Sequence, residues 1–305
     1  MIVFIFKRFL ASLPVFAIVV SATFLFMRLA PGSPFGADRK LSADIEQRLF
    51  TRYQLDGSLM RQFTAYWANL LRGDLGDSIK YRNRTVADII GQTFPKSALL
   101  GLGAMVVALG IGIVAGSQAA LHHGSFRDHA AMALALAGIC LPAFVLAPLL
   151  ILLLAIQFPL FPVAGWGTPG HLVLPMACLG IPYGAYCARL MRTSMLDVLG
   201  QDYIRTARAK GLDERVVTYR HALRVAALPL VNYAGPLAAN VLTGSLVIEE
   251  IFKIPGMGPF FVNAVLSRDI FLVGGCVIVY FTLLILLNLL ADIATALLDR
   301  RIRLW

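Results

Sequence analysis

Six stretches of this chain are long and apolar enough to cross a lipid bilayer, which decides most of what it can fold into. They are residues 9–30, 97–121, 129–156, 171–191, 229–248 and 272–298. A helix needs roughly 20 predominantly apolar residues to cross a hydrocarbon core of about 30 Å. Lipid offers the backbone no hydrogen-bond partner, so each run is expected as a self-bonded helix and the fold class as an all-α integral membrane protein. The composition agrees: 58% of the 305 residues are apolar and 14% charged, where soluble domains have about 25% charged residues. A soluble enzyme is excluded. The first run follows Lys7-Arg8; it is longer than a signal-peptide core and ends on no small-x-small site, so it reads as an uncleaved span.

Charge sets the direction. The chain carries 27 basic and 17 acidic residues, a formal +10. Six spans put both termini on one side. With both in the cytosol, the inner pieces hold Lys7, Arg8 and Arg127, eight basic residues from Arg189 to Arg224, and Arg300, Arg301 and Arg303. The outer loops after the third and fifth spans hold Lys253 and Arg268. That asymmetry is the positive-inside pattern, and it accounts for the basic surplus without nucleic acid. Cys140, Cys178, Cys187 and Cys276 all lie in apolar runs and read as small core residues with no disulfide framework.

Pro14, Pro142, Pro148, Pro175, Pro182 and Pro236 fall inside the spans, where each removes an amide donor and favours a kink. Ala104, Ala108, Gly112, Gly116 and Ala120 place a small residue at every fourth position of the second span, a row that lets another helix backbone come close. Few ionisable groups lie deep in the spans: Asp292 sits near the predicted inner end of the sixth, and Asn232, Asn240 and Asn288 are uncharged. Ion-coupled carriers place acids or histidines at mid-membrane, so self-powered secondary transport is disfavoured. The chain has no H-E-x-x-H, G-x-S-x-G or phosphate-binding G-x-x-x-x-G-K-[ST], which disfavours an intramembrane protease or other membrane enzyme and puts any ATP chemistry on a separate chain. His122, His123 and His129 cluster near Asp128 without a metal-ligand spacing, and no metal site is expected.

Residues 31–96 are more polar and form an expected helical segment on the outer face. Ile45, Leu49 and Phe50 share one face of a helix over 42–53; Phe63, Tyr66, Trp67, Leu70 and Leu71 mark a second amphipathic helix that ends at the turn Gly73-Asp74-Leu75-Gly76. On the inner side, residues 195–229 join the fourth and fifth spans. Asp202 is placed to cap a short helix over 203–210 and Gly211 to stop it. Ala207 and Ala209 are small enough for a partner surface to approach, flanked by Arg205, Arg208 and Lys210.

The run 203–212, Tyr-Ile-Arg-Thr-Ala-Arg-Ala-Lys-Gly-Leu, with Leu228-Pro229 further on, resembles the coupling-helix signature of bacterial ABC importer permeases in its peptide-importer form. Aligned on Gly211, the generic Glu-Ala-Ala falls on Arg205, Thr206 and Ala207. Residues 27–35, 73–78 and 84–86 are similar to the first span end and outer segment of the B-type subunit of oligopeptide importers, and 249–258 to that family's loop after span five. Residues 54–58, Gln-Leu-Asp-Gly-Ser, depart from the related Gly-Leu-Asp-x-Pro. The resemblance covers nearly the whole chain. It implies a type I ABC importer permease fold: a first span over 1–30, an outer helical segment over 31–96 and a five-span core over 97–305. It implies Arg205, Thr206, Ala207, Arg208, Ala209, Lys210 and Gly211 as the ATPase-coupling helix, and Glu249, Phe252, Pro255, Gly256 and Gly258 as an outer gate or binding-protein contact. The implied partners are a paralogous six-span permease of C type, two cytosolic ATPases that carry ATP and Mg, and a periplasmic or lipid-anchored peptide-binding protein. The implied setting is the bacterial inner membrane and the implied cargo an oligopeptide. Dipeptides, nickel complexes, glutathione and antimicrobial peptides are the alternatives within the class. This chain itself would bind no cofactor and catalyse nothing.

Overall fold

The computed structural model describes residues 2–29, 47–48, 51 and 57–298. These build α1 (Ile2–Leu29), α2 (Leu59–Leu71), α3 (Val86–Leu121), α4 (Phe126–Cys140), α5 (Ala143–Gln157), α6 (Gly170–Leu199), α7 (Asp202–Ala209), α8 (Glu214–Ala226), α9 (Leu228–Ile251), α10 (Met257–Ser267) and α11 (Ile270–Leu298). The last turns of α5, Leu152–Gln157, and the middle of α8, Val217–Ala222, are wider π turns. Among the described residues no sheet forms. The expected helix over 42–53 lies outside them but for positions 47, 48 and 51.

Among the described residues four helices are long and apolar enough to cross a membrane alone, within α1, α3, α6 and α11. Two further helix pairs pass the same test only when taken together, α4 with α5 and α8 with α9. The run over 129–156 was expected as one helix and is two: α4 and α5 meet at 107°. The cause is Pro142, whose ring disfavours helical geometry in the residue before it; Leu141 is accordingly extended (φ −91°, ψ 110°). Pro14, Pro148, Pro175, Pro182 and Pro236 stay within helices. The fifth run, 229–248, lies whole within α9, which meets α8 at 47° just before it. Counting each bent pair as one gives up to six candidate spans among the described residues.

The chain divides into two compact units. The larger holds Ala98–Ile254 with Met1–Phe6 and Leu284–Trp305. Its apolar core gathers around α6, with Leu179, Met191 and Met195 fully buried. The small-residue row of α3 packs here. A Cβ on Gly112 would stand 2.4 Å from Cys187 Cβ, and one on Gly116 2.5 Å from the Ala188 carbonyl oxygen. The seam is reciprocal, since a Cβ on Gly180 of α6 would stand 2.8 Å from the Ala104 carbonyl oxygen. The partner of the row is therefore this chain's own α6.

The smaller unit holds Lys7–Ser97 and Pro255–Leu283. Val86, Ile89, Ile90, Met257, Leu272 and Val273 form its core. The amphipathic helix expected around Phe63 is α2, capped by Ser58, and Phe63 and Tyr66 lie against Phe24 of α1 at ring separations of 5.6 and 5.3 Å. Gly73 and Gly76 take left-handed φ of +79° and +81° in the expected turn. The helix that follows starts at Val86, well before the apolar run at Ser97. Thr85 and Asp88 cap it reciprocally, with the Asp88 N–H donating to Thr85 Oγ1 (3.0 Å) and Thr85 Oγ1 to Asp88 Oδ2 (2.7 Å). Thr85-Val-Ala-Asp88 has the capping-box spacing, a signal that sequence reasoning passed over.

Candidate functional site

The short helix α7 starts at Asp202 rather than after it: Gln201 holds the cap position and its side chain makes no capping bond. Asp202 instead lies in the first turn, where its charge favours the positive helix end and its carboxylate is 3.6 Å from Arg205. The far end follows the sequence reading. Gly211 adopts φ +76°, its N–H donates to the Arg208 carbonyl (2.9 Å), and the Leu212 N–H reaches back to the Ala207 carbonyl (3.4 Å). This pair of bonds around a left-handed residue is the Schellman stop.

Two faces of α7 differ sharply. Ile204 and Ala207 are buried in the larger unit's core, whereas Arg205, Thr206, Arg208, Ala209 and Lys210 are exposed. Ala207 thus does not offer its side chain to an outside surface; its small size lets α7 seat against the chain's own apolar core. Arg208 forms a two-pronged pair with Glu214, its Nη2 and Nε donating at 2.6 and 3.1 Å. The guanidinium holds the Glu214 carboxyl below the usual carboxylate range. Asp213 caps the next turn by accepting from the Arg215 N–H (2.6 Å). These contacts fasten α7 to α8, whose Val217, Ala222 and Ala226 share the same core. Glu214 is a residue the sequence reading missed.

A second polar cluster stands at the turn between α3 and α4. Asp128 is 2% exposed and accepts from Arg192 Nε (2.6 Å), Arg192 Nη2 (2.7 Å) and the Gly124 N–H (3.0 Å). His123 Nδ1 lies 3.2 Å away. The Arg192 bonds, more than any other contact, hold the Asp128 carboxyl well below its usual range. His122 and His129 bond the carbonyls of Gln118 and Ser125. Among the described residues no three His, Cys, Asp or Glu gather as a metal site would require.

The residues expected at an outer gate fall on both sides of the division between the units. In the larger unit, Glu249 and Phe252 are buried at 0% and 1% exposure. The Phe252 carbonyl accepts from the Gly165 N–H (2.8 Å) and the Glu249 carbonyl from the Ile254 N–H (2.8 Å). Lys253, in a left-handed turn conformation, pairs with Glu250 and is the exposed residue of this stretch. In the smaller unit, Gly256 and Gly258 are buried and Pro255 half-buried, with the Met257 N–H donating to Ser97 Oγ (2.8 Å). Nearby, buried Asp269 accepts from Ser78 Oγ and from the N–H groups of Lys80 and Leu272, both at 3.1 Å.

α7 is thus a short helix seated in the core by Ile204 and Ala207 and fastened to α8, with a basic exposed face. The model of the binding-protein-dependent transport system inner membrane component family matches residues 108–304. The chain belongs to that family. It is 43% identical over 305 residues to the oligopeptide transport system permease protein OppB of Haemophilus influenzae, covering 99% of this chain and all of that one. The OppB of Salmonella typhimurium is 42% identical with the same coverage. The dipeptide transport system permease protein DppB of Bacillus subtilis is 44% identical over 298 residues, 98% of this chain and 97% of that one. The family match contains α7, both ion-pair residues Asp128 and Arg192, and the run 249–258. It begins within the small-residue row, at Ala108.

Proposed function

We propose that this chain is the membrane-spanning permease subunit of an ABC importer for peptides, with six spans, both termini in the cytosol and residues 31–96 largely outside. The observation that carries the reading is full-length similarity above 40% to permeases named for oligopeptides and dipeptides, joined to the fastened helix α7. In this reading ATPases close on ATP and press the exposed face of α7 formed by Arg205, Thr206, Ala209 and Lys210. Ala207 and Gly211 contribute by seating and ending the helix. Because Ile204 and Ala207 are embedded in the core and Arg208 grips Glu214, the push passes into the spans as a rigid-body displacement. A paralogous permease completes the pathway and a binding protein delivers cargo to the outer side near Lys253. The inner bacterial membrane is the setting. Oligopeptides lead as cargo; the 44% identity to a dipeptide permease makes dipeptides the second reading.

Reconstitution in proteoliposomes tests this. The chain together with a second permease, two ATPases and a peptide-binding protein encoded beside it is expected to accumulate labelled tri- to pentapeptides only with ATP. The chain alone is expected to accumulate none. Uptake by the chain alone, driven by an ion gradient, would overturn the reading in favour of a secondary transporter. Direction is tested separately. In cells with a permeabilised outer membrane, a membrane-impermeant maleimide is expected to label Lys253→Cys before lysis and Arg220→Cys only after it. The reverse order would invert the topology.

A further inference from the structure

We propose that Asp128 and Arg192 are a pair of positioning residues that make the α3–α4 turn travel with α6 when α7 is displaced. The proposal rests on the coupling role of α7 given above. Its geometry is specific. Arg192 lies on α6 two turns before that helix ends at Leu199, and only Gly200 and Gln201 separate α6 from α7. Displacement of α7 therefore reaches Arg192 along a continuous helix. Arg192 then holds Asp128 by two parallel bonds of 2.6 and 2.7 Å, a fork geometry that resists both sliding and rotation. Asp128 is in turn fixed to its own turn. It accepts from the Gly124 N–H (3.0 Å), and its own N–H points to Ser125 Oγ (3.5 Å), the N-cap of α4.

Position explains why a charge pair is used there. The α3 seam beside α6 is made of glycine and alanine against backbone, which permits close approach but offers little to stop one helix sliding along the other. The buried Asp128 carboxylate cannot be left alone without a large desolvation cost, so the pair opens only if the whole turn opens. It acts as a strut where the apolar seam would slip, carrying motion from the α6 end to the start of α4.

The test uses the complete transporter in proteoliposomes, reading peptide uptake and ATP hydrolysis together. Asp128→Asn, which strands no buried charge, is expected to assemble and to retain basal hydrolysis; Arg192→Gln, which leaves the Asp128 carboxylate alone, is expected to assemble to a lower level and to retain hydrolysis per complex. Peptide taken up per ATP is expected to fall about tenfold, within the range of coupling between distant sites. The double variant is expected to be no worse than the more impaired single, and Arg192→Lys, which keeps charge but not the fork, to be intermediate. Unchanged uptake per ATP in both single variants would overturn the proposal. So would a parallel loss of assembly, hydrolysis and uptake that Arg192→Lys does not relieve, which would mark the pair as structural only. Failure of the unmodified complex to take up peptide would instead refute the function on which the proposal rests.

Discussion

Gly211→Val is expected to abolish ATP-driven peptide uptake while the protein still accumulates in the membrane, and Gly211→Asn is expected to retain most of it. The contrast follows from one dihedral angle. Gly211 holds φ +76°, and a Cβ built there would meet nothing within 4 Å. Crowding is therefore not the obstacle; the backbone is. An ordinary L residue in the left-handed region costs roughly 1–2 kcal/mol, and a residue branched at Cβ is a genuine outlier there. Asparagine tolerates the region because its short polar side chain can bond locally. Valine would relieve the strain by opening the turn, releasing the bonds from Gly211 to Arg208 and from Leu212 to Ala207 and loosening the Arg208–Glu214 grip. The last turn of α7 would fray where the ATPases are proposed to press, while the spans stay intact. A loss of about 2 kcal/mol in α7 order corresponds to more than tenfold in a rate that depends on it. Uptake and membrane level, measured side by side, check this; normal uptake in the valine variant would remove α7 from the mechanism.

The same helix shows what a sequence makes legible. Gly211 could be read because a glycine after a basic, alanine-rich turn has one common use, the helix stop. The direction in which Ala207 points could not, since alanine suits a core and a docking surface equally. Only the burial of Ile204 beside it on the helix face settles the matter. The apolar runs were legible as helices of membrane-crossing length because length against bilayer thickness is a physical requirement. The 107° break at Leu141–Pro142 was not, because Pro14, Pro175, Pro182 and Pro236 are accommodated in their helices and nothing local distinguishes Pro142 from them. The Asp128–Arg192 pair escaped for another reason. Its partners stand 64 positions apart, and long-range pairing leaves no trace in spacing or periodicity. Thr85-Val-Ala-Asp88, by contrast, was fully legible, and with it the early start of α3.

On α3 the packing makes the second large prediction, because two rows of the same helix separate propensity from contact. Gly112 and Gly116 lie in the buried row against Cys187 and Ala188. Gly110 lies in the opposite row with Leu102, Val106 and Val114, exposed at 61%, 71% and 63%, and a Cβ added to it would meet nothing within 4 Å. Helix propensity favours alanine over glycine by about 1 kcal/mol at any interior site, so on propensity alone all three substitutions to alanine would stabilise. Packing reverses the sign in the buried row. At Gly116 even a methyl group would stand 2.5 Å from a backbone carbonyl oxygen, which no rotamer change can relieve, so α3 and α6 must part. Overpacking of this kind costs roughly 1–3 kcal/mol, and a destabilisation of that size lowers cellular abundance several-fold. Gly110→Ala is accordingly expected to accumulate normally, Gly116→Ala to several-fold lower level, and Gly116→Leu scarcely at all, measured as folded protein extracted from membranes. Gly110→Leu serves as the control of equal bulk on the apolar outer row, and it is expected to behave like the unmodified chain. Equal loss in Gly110→Leu and Gly116→Leu would mean that added volume anywhere on α3 is harmful and that the reciprocal seam with α6 does not hold the larger unit together.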